Sequence, residues 1–273
     1  MADRCGCALG VDVGVSAAKL ALLAPDGSPL RTLRIDAHRF GPDDLLPLLS
    51  PAPAYIAATG MGAERLGCAL HGVPVRPVDE FTAIAVGALR LTGLPRALVA
   101  SVGTGTAFVM AESGAAARHL GGSGVGGGTL LGLADLIDGV ADAPHILDLA
   151  ARGELRRVDL CIGDVTGRDI PGLPPCTTVA NLARRQAEAS AADRARGAVN
   201  LVCQTVGVLA AFAARAEGVG DVVLVGTPVA HPVFSELIRM VELLHPVRFH
   251  VPPHAPFAAA IGAARAALSP ANE

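Results

Sequence analysis

Gly10-Val11-Asp12-Val13-Gly14-Val15-Ser16-Ala17-Ala18-Lys19 is the stretch on which the reading of the fold turns. A short apolar run from Cys7 to Val13 ends near an acidic residue. A glycine-bearing turn follows, and Ala17 to Leu23 resumes as a second apolar strand. An acidic side chain at a strand end can hold Mg2+, usually through water. Gly14 lets the backbone come close to phosphate oxygens. Ser16 adds a hydroxyl donor and Lys19 a compact positive charge. Taken alone, the stretch reads equally well as an ordinary hairpin with one surface lysine. It does exclude two common nucleotide folds. A dinucleotide-binding unit needs strand, glycine turn and helix in that order, whereas here the first glycine turn joins two strands. No Gly-Lys-Ser/Thr run occurs either.

Working outward, Pro25-Asp26-Gly27 is a turn signal and Pro29 to Ile35 reads as a third strand, giving an antiparallel start. A helix near Asp43 to Leu49, a strand near Ala54 to Ala58, a helix over Gly62 to Leu70, an extended Val73 to Val78 and a helix over Glu80 to Leu91 follow. At Arg96 the order restarts: Ala97 to Val102, the turn Gly103-Thr104-Gly105-Thr106, then strands over Ala107 to Glu112 and Ala116 to Leu120. A loop from Gly121 to Gly128 opens a helix to about Ile137. The duplicated order implies an α/β chain of two similar halves, 1–95 and 96–273, facing a cleft. Val158 to Cys176 reads as an irregular excursion. Helices are expected over Thr178 to Ala189, Ala191 to Glu217, Pro232 to Leu244 and Ala255 to Leu268, with strands over Asp221 to Val225 and Arg248 to Val251.

Four short elements suit a nucleotide: the opening hairpin, the Gly103 to Thr106 turn and the Gly121 to Thr129 entry into a helix for the phosphates, and the strand end Leu224-Val225-Gly226-Thr227 to pass beneath an adenine ring or ribose. Exposed backbone N–H groups at a helix N-terminus attract anions. Each is modest alone; their order and spacing carry the weight.

Composition narrows the field. The chain has 273 residues, 51% of them apolar, with 17% charged and a net charge of −3, so nothing in its charge invites nucleic acid. Aromatics at 3% leave few surfaces for stacking bases. Lys19 is the only lysine, which makes its position informative. The six cysteines form no CxxC pair, and the close pair Cys5 and Cys7 reads as a strand entering the core rather than a metal site. No signal peptide is read at the N-terminus. The apolar stretch Gly197 to Ala214 contains Asn200 and Gln204 and reads as a buried helix, not a membrane span. A cytoplasmic protein with reduced thiols is expected.

At this point the sequence resembles the type II pantothenate kinases, of the acetate and sugar kinase/Hsp70/actin superfamily. The resemblance rests on Asp12-Val13-Gly14-Val15-Ser16 with Lys19, Thr59-Gly60-Met61-Gly62, Glu80-Phe81, Val102 to Ala107, Gly121 to Thr129 and Ala260-Ile261-Gly262-Ala263. It runs from near residue 8 to near 266. It implies two ribonuclease-H-like halves of the actin/hexokinase kind around an ATP cleft, and phosphorylation of the primary hydroxyl of pantothenate, the first step of coenzyme A biosynthesis. It further implies Glu80 as general base, Asp12 positioning Mg2+, and ATP contacts from Gly14, Val15, Ser16, Lys19, the Gly103 to Thr106 turn, Gly126 to Thr129 and Gly226-Thr227. A homodimer through helices near Gly197 to Ala214 is expected. Three departures stand out. Val15 replaces the family's second glycine. His119, preceded by Arg118, replaces an arginine that contacts substrate. Pro252-Pro253-His254-Ala255-Pro256 carries no acid or amide before the last helix. A kinase of another small hydroxylated substrate, and a non-catalytic nucleotide-binding relative, remain open as alternatives.

Overall fold

The structure, a computed structural model, describes residues 6–50, 52–168, 170–184 and 188–267. Cys5 lies outside the described residues. Strand β1 (Ala8–Val13) is buried along its whole length because helices or loops cover both faces of its sheet. It pairs antiparallel with β2 (Ala17–Leu23), which pairs antiparallel with β3 (Pro29–Asp36). On its other side β1 runs parallel to β4 (Tyr55–Thr59), followed by β6 (Val73–Pro77) and the short edge strand β5 (Ala69–Leu70). The second sheet repeats the plan. An antiparallel meander of β7 (Arg96–Val102), β8 (Thr106–Glu112) and β9 (Arg118–Ser123) is extended on the β7 side by parallel β12 (Asp221–Val225) and β13 (Arg248–His250). The duplication expected from the order of elements is therefore a duplication of topology.

Helices α1 (Glu80–Thr92) and α7 (Ala258–Ala266) lie between the two sheets. Helix α7 packs on β1, β2 and β4, so the last helix of the chain returns to the first sheet, while α1 packs on β7 and β8. Three glycines permit this layer. A Cβ at Gly10 would stand 1.8 Å from the Ala260 carbonyl oxygen, one at Gly87 1.9 Å from that of Ala258, and one at Gly262 1.8 Å from that of Ala83. The far face of the second sheet is covered by α2 (Gly127–Asp138), α3 (Ala143–Ala150), the long α5 (Ala191–Ala216) and α6 (Pro232–Glu242). By length and composition α5 could cross a membrane. Its Val199, Val202, Val206 and Ala210 are nevertheless packed into the second core, and Asn200 is buried with them. Leu209 and Phe212 remain exposed on it.

Several expected elements differ. Residues Asp43 to Leu49 and Gly62 to Leu70 are not α-helical: 3-10 turns cover Pro42–Leu48 and Ala63–Leu66, the first with Pro47 inside it, and β5 follows the second. The glycines from Gly121 are not all loop, because β9 runs to Ser123. Of the helix expected over Thr178 to Ala189, part lies outside the described residues, and no helix is formed over Thr178 to Arg184. In its place β11 (Thr178–Ala180) pairs with β10 (Leu160–Cys161), just before the short α4 (Ile162–Val165). The reason is Asp159, which is fully buried and accepts hydrogen bonds from Thr178 Oγ1, Asn181 Nδ2, the Leu182 amide and Asn200 Nδ2. A buried carboxylate needs such partners, and meeting them holds the segment away from helical geometry.

The interlayer glycines set a test. Gly87→Ala drives a methyl into backbone, which cannot swing away, and should cost about 1–3 kcal/mol in unfolding free energy. Gly132→Ala, on an exposed turn of α2 with open space around it, should instead gain about 0.4–1 kcal/mol. Urea unfolding of the two variants against the parent checks both signs; an unchanged midpoint for Gly87→Ala would show that the layer is looser than described.

Candidate active site

The two hairpin turns meet across a cleft of about 1040 Å3 between the halves. Ser16 Oγ, from the β1–β2 turn, and Thr104 Oγ1, from the β7–β8 turn, are 2.8 Å apart, a hydrogen bond joining elements 88 residues apart. Asp12, Gly14, Val15, Ser16 and Lys19 line the cleft from the first half, and Gly103 to Thr106 with Gly127, Gly128 and Thr227 line it from the second. Val15 is 65% exposed, its side chain standing free on the turn.

Lys19 and Asp12 face one another across β1 and β2, Nζ to Oδ2 3.8 Å. Asp12 is enclosed, and burial pushes its carboxyl above the ordinary aspartate range, against the pull of Lys19. Glu80, the first residue of α1, also lines the cleft. Partial desolvation raises its carboxyl first, the negative charges of Asp12 and Asp79 raise it further, and Lys19 offsets part of this. The neighbouring Asp79 serves the helix instead. Its carboxylate caps α1, accepting from the Thr82 amide at 2.8 Å and the Thr82 hydroxyl at 2.9 Å. An anionic group poised above its usual pKa beside a lysine and a second carboxylate can accept a proton from a hydroxyl held near it.

The glycine-rich helix entry is built otherwise than expected. The Gly127 amide donates to Gly103 O at 2.7 Å and the Gly128 amide to Thr104 O at 2.9 Å, while the Gly126 amide donates to Thr129 Oγ1. The Gly127 and Gly128 N–H groups are thus spent on the β7–β8 turn, and that of Gly126 on its own helix, rather than offered to an anion. Their glycines allow the contact: a Cβ at Gly126 would stand 2.7 Å from the Gly105 carbonyl. Gly126 and Thr129 do not line the cleft. Gly226 does not either; with φ +113° and a Cβ position 2.0 Å from Val102 O, it is the close-packed bend that delivers Thr227 to the cleft.

Arg118 and His119 part company, as strand alternation requires. Arg118 is ion-paired to Glu217, beyond the end of α5, and does not line the cleft. His119 stacks on Phe81, ring centroids 4.2 Å apart and planes 9° from parallel, next in sequence to Glu80. It flanks the cleft without lining it. Sequence reasoning missed Arg34, Asp36 and His38 on the first wall and Ala141 to Pro144 with His231 on the second. The signal for Arg34 was available in the pairing of β2 with β3. That for Ala141 to Pro144 and His231 was not, since only the fold brings α3 and the start of α6 to the cleft.

Among the described residues no cluster of three or more His, Cys, Asp or Glu side chains could hold a metal. The cleft wall carries the carboxylates of Asp12, Asp36, Glu80 and Asp142, and one carboxylate sharing the ion with phosphates and water is the usual Mg2+ arrangement.

Two sheets of like topology, with hairpin turns opposed across one cleft, define the two-lobed actin/hexokinase-like α/β architecture. The Fumble family model matches residues 92–263, and the chain belongs to that family. A type II pantothenate kinase of Oceanobacillus iheyensis is 24% identical over 226 residues, 80% of this chain and 83% of that protein. Pantothenate kinase 1 of Oryza sativa is 33% identical over 128 residues, 44% of this chain, and the matched region spans only 19% of that longer protein. Among solved structures, a ROK family glucokinase from Streptomyces griseus in complex with glucose and AMPPNP shares the fold at a TM-score of 0.65 and 14% identity, covering 96% of this chain and 99% of that one.

The electrostatics of Glu80 are open to direct measurement. By carboxyl NMR it should titrate above the ordinary glutamate range, and Asp12→Asn should lower that value by removing a neighbouring negative charge. A Glu80 titration at the ordinary position, indifferent to Asp12→Asn, would contradict the arrangement described.

Proposed function

We propose that the chain is a type II pantothenate kinase, transferring the terminal phosphoryl group of ATP to the primary hydroxyl of pantothenate in the first step of coenzyme A biosynthesis. The observation that carries this is Glu80, with a raised pKa, beside the Asp12–Lys19 pair in a cleft gripped by both hairpin turns. Family membership and the names of the relatives support the substrate.

In this reading the half 1–95 holds the acceptor and the first phosphate turn, and the half 96–273 holds the nucleotide, lending its last helix to the first sheet. Glu80 accepts the hydroxyl proton. Lys19, Ser16 and Thr104 bind phosphate oxygens, and Thr227 lies under the nucleoside. Asp12 would hold Mg2+ with the phosphates; when bound, the ion neutralises their charge. Catalysis is then positioning and charge neutralisation of an in-line transfer. His119, on Phe81, bounds the acceptor beside Glu80.

The protein is proposed to work as a cytoplasmic homodimer. The exposed Leu209 and Phe212 of α5, with Leu243 and Leu244 just beyond α6, supply an apolar surface for a second copy. Light scattering at micromolar concentration should give twice the chain mass; a monomer would end this part of the proposal.

ADP release with pantothenate, against a panel of hydroxylated small molecules, tests the substrate. Glu80→Gln should keep nucleotide binding and lower turnover about 10²–10⁴-fold. His119→Arg should alter the apparent acceptor affinity more than turnover. Because Glu80 must be ionised to accept a proton and its pKa is raised, kcat/KM should climb with pH through a limb above the ordinary glutamate range. Undiminished turnover in Glu80→Gln would show that the wrong carboxylate has been assigned.

A further inference from the structure

The strand register aligns four side chains in one row across the first sheet. Asp12 stands opposite Thr59 on β4 and Lys19 on β2, and Lys19 stands opposite Arg34 on β3. Residues directly opposite in a sheet share a face, so Thr59, Asp12, Lys19 and Arg34 all point to the same side. That side carries α7 farther along the strands, because a Cβ on Gly10, two residues before Asp12, would collide with Ala260. At the level of Asp12 the row opens into the cleft, where Asp12, Lys19 and Arg34 all form part of the wall. The neighbouring Leu33 and Ile35 turn the other way and pack on the core beneath. Arg31, on that same alternate face, donates to Pro47 O at 2.9 Å.

The charges along the row are unequal in their freedom. The Lys19 side chain is largely enclosed and already engaged: its ammonium faces Asp12 at 3.8 Å and bears on the Glu80 carboxyl. One lysine balanced against two carboxylates leaves no surplus positive charge for a polyphosphate. Arg34 is the more readily released cation. Its partner is Asp36, two residues along the same strand at 3.7 Å, with both side chains more than two-fifths exposed. A solvent-screened pair of this kind is weak, so the guanidinium can exchange it for a stronger acceptor at little cost. Its planar fork of donors suits phosphate oxygens in bidentate fashion.

Position along the row separates donor from acceptor. Glu80 shares the cleft with Asp12 and Lys19, and both bear on its carboxyl. Arg34 lies on the outer side of Lys19, two strands away from Asp12 and beside the turn that carries Ser16, whose carbonyl receives the Ala37 amide at 3.1 Å. The geometry points to Arg34 as a phosphate-binding residue for the nucleotide, the second fixed cation of the site, with no part in holding the acceptor. This rests on the nucleotide-dependent reading above and adds to it a residue outside the recognised loops.

The test is calorimetric titration of the full chain with AMPPNP and Mg2+, and separately with adenosine, for the parent, Arg34→Ala and Arg34→Lys, with melting curves to compare folding. Arg34→Ala should weaken AMPPNP binding about 10–100-fold, the scale of losing hydrogen bonds to a charged group, and leave adenosine binding as it was. Arg34→Lys should recover part of the loss. In steady state, KM for ATP should rise with little change in KM for the acceptor. A parent that binds no nucleotide would overturn the kinase reading and this inference together. A parent that binds AMPPNP no better than Arg34→Ala does, an equal loss for adenosine, or a rise confined to the acceptor KM would overturn the inference alone. Should Arg34→Ala melt early, Arg34→Lys decides: binding equal to that of the parent with unchanged melting, together with equal salt dependence, removes the need for a guanidinium at this position.

Discussion

The distance between the two sheets is set by methyl groups that are not there. Gly10, Gly87 and Gly262 let β1, α1 and α7 touch backbone to backbone, and the layer between the sheets is otherwise largely alanine, Ala83, Ala258, Ala260 and Ala263 among it. Thin packing of this kind gains little from each side chain, at roughly 25 cal/mol per Å2 of apolar area. It brings the halves close, however, and so fixes how far apart the two hairpin turns stand. Glu80 sits at the first turn of one of these interlayer helices, so its place in the cleft depends on the same contacts. The active-site geometry is in this sense a consequence of how closely α1 and α7 can cross.

Much of this was written legibly in the chain. The antiparallel start, the restart at Arg96 and the strand at Asp221 are carried by local signals: apolar runs of strand length, turn residues, and glycine between strands. Lys19 was conspicuous because nothing else in the sequence shares its type. The failures have one cause. Thr178 to Leu182 has a tolerable helical pattern, but its conformation is decided by Asp159 and Asn200, which lie about 20 residues away on either side. The glycine-rich entry to α2 looked like an anion cradle because sequence shows which amides are uncovered by side chains, not which carbonyls they meet. The separation of Arg118 from His119, by contrast, follows from strand alternation and was legible in the sequence.

The second half is organised differently around the same plan. Its meander and parallel strands repeat the first sheet, but α2, α3, α5 and α6 add a thick helical layer whose core includes Phe234, Leu130 and Ile146. That layer stiffens the β7–β8 turn from behind, through the Gly127 and Gly128 amides. The opposing β1–β2 turn is held differently, by the internal Gly14 to Ala17 hydrogen bond at 3.1 Å, the Ala37 amide on Ser16 O and the Ser16 bond to Thr104. One wall of the cleft is braced from behind, and the other is tied in part across the cleft.

The bond between Ser16 and Thr104 acquires a particular meaning from this asymmetry. Each hydroxyl has one proton to give, and each lies on a different wall. An oxygen-rich guest that takes the shared proton must compete with the opposite wall for it, while the accepting hydroxyl keeps its own proton to give. A single neutral hydrogen bond is worth only about 0.5–1.5 kcal/mol net, so the contest is nearly even, and the mouth of the cleft behaves as a seam that a guest can part at negligible expense and that re-forms behind it. The same two oxygens would serve in turn as stitching and as receptor, which ties admission to recognition without any hinge residue devoted to the purpose.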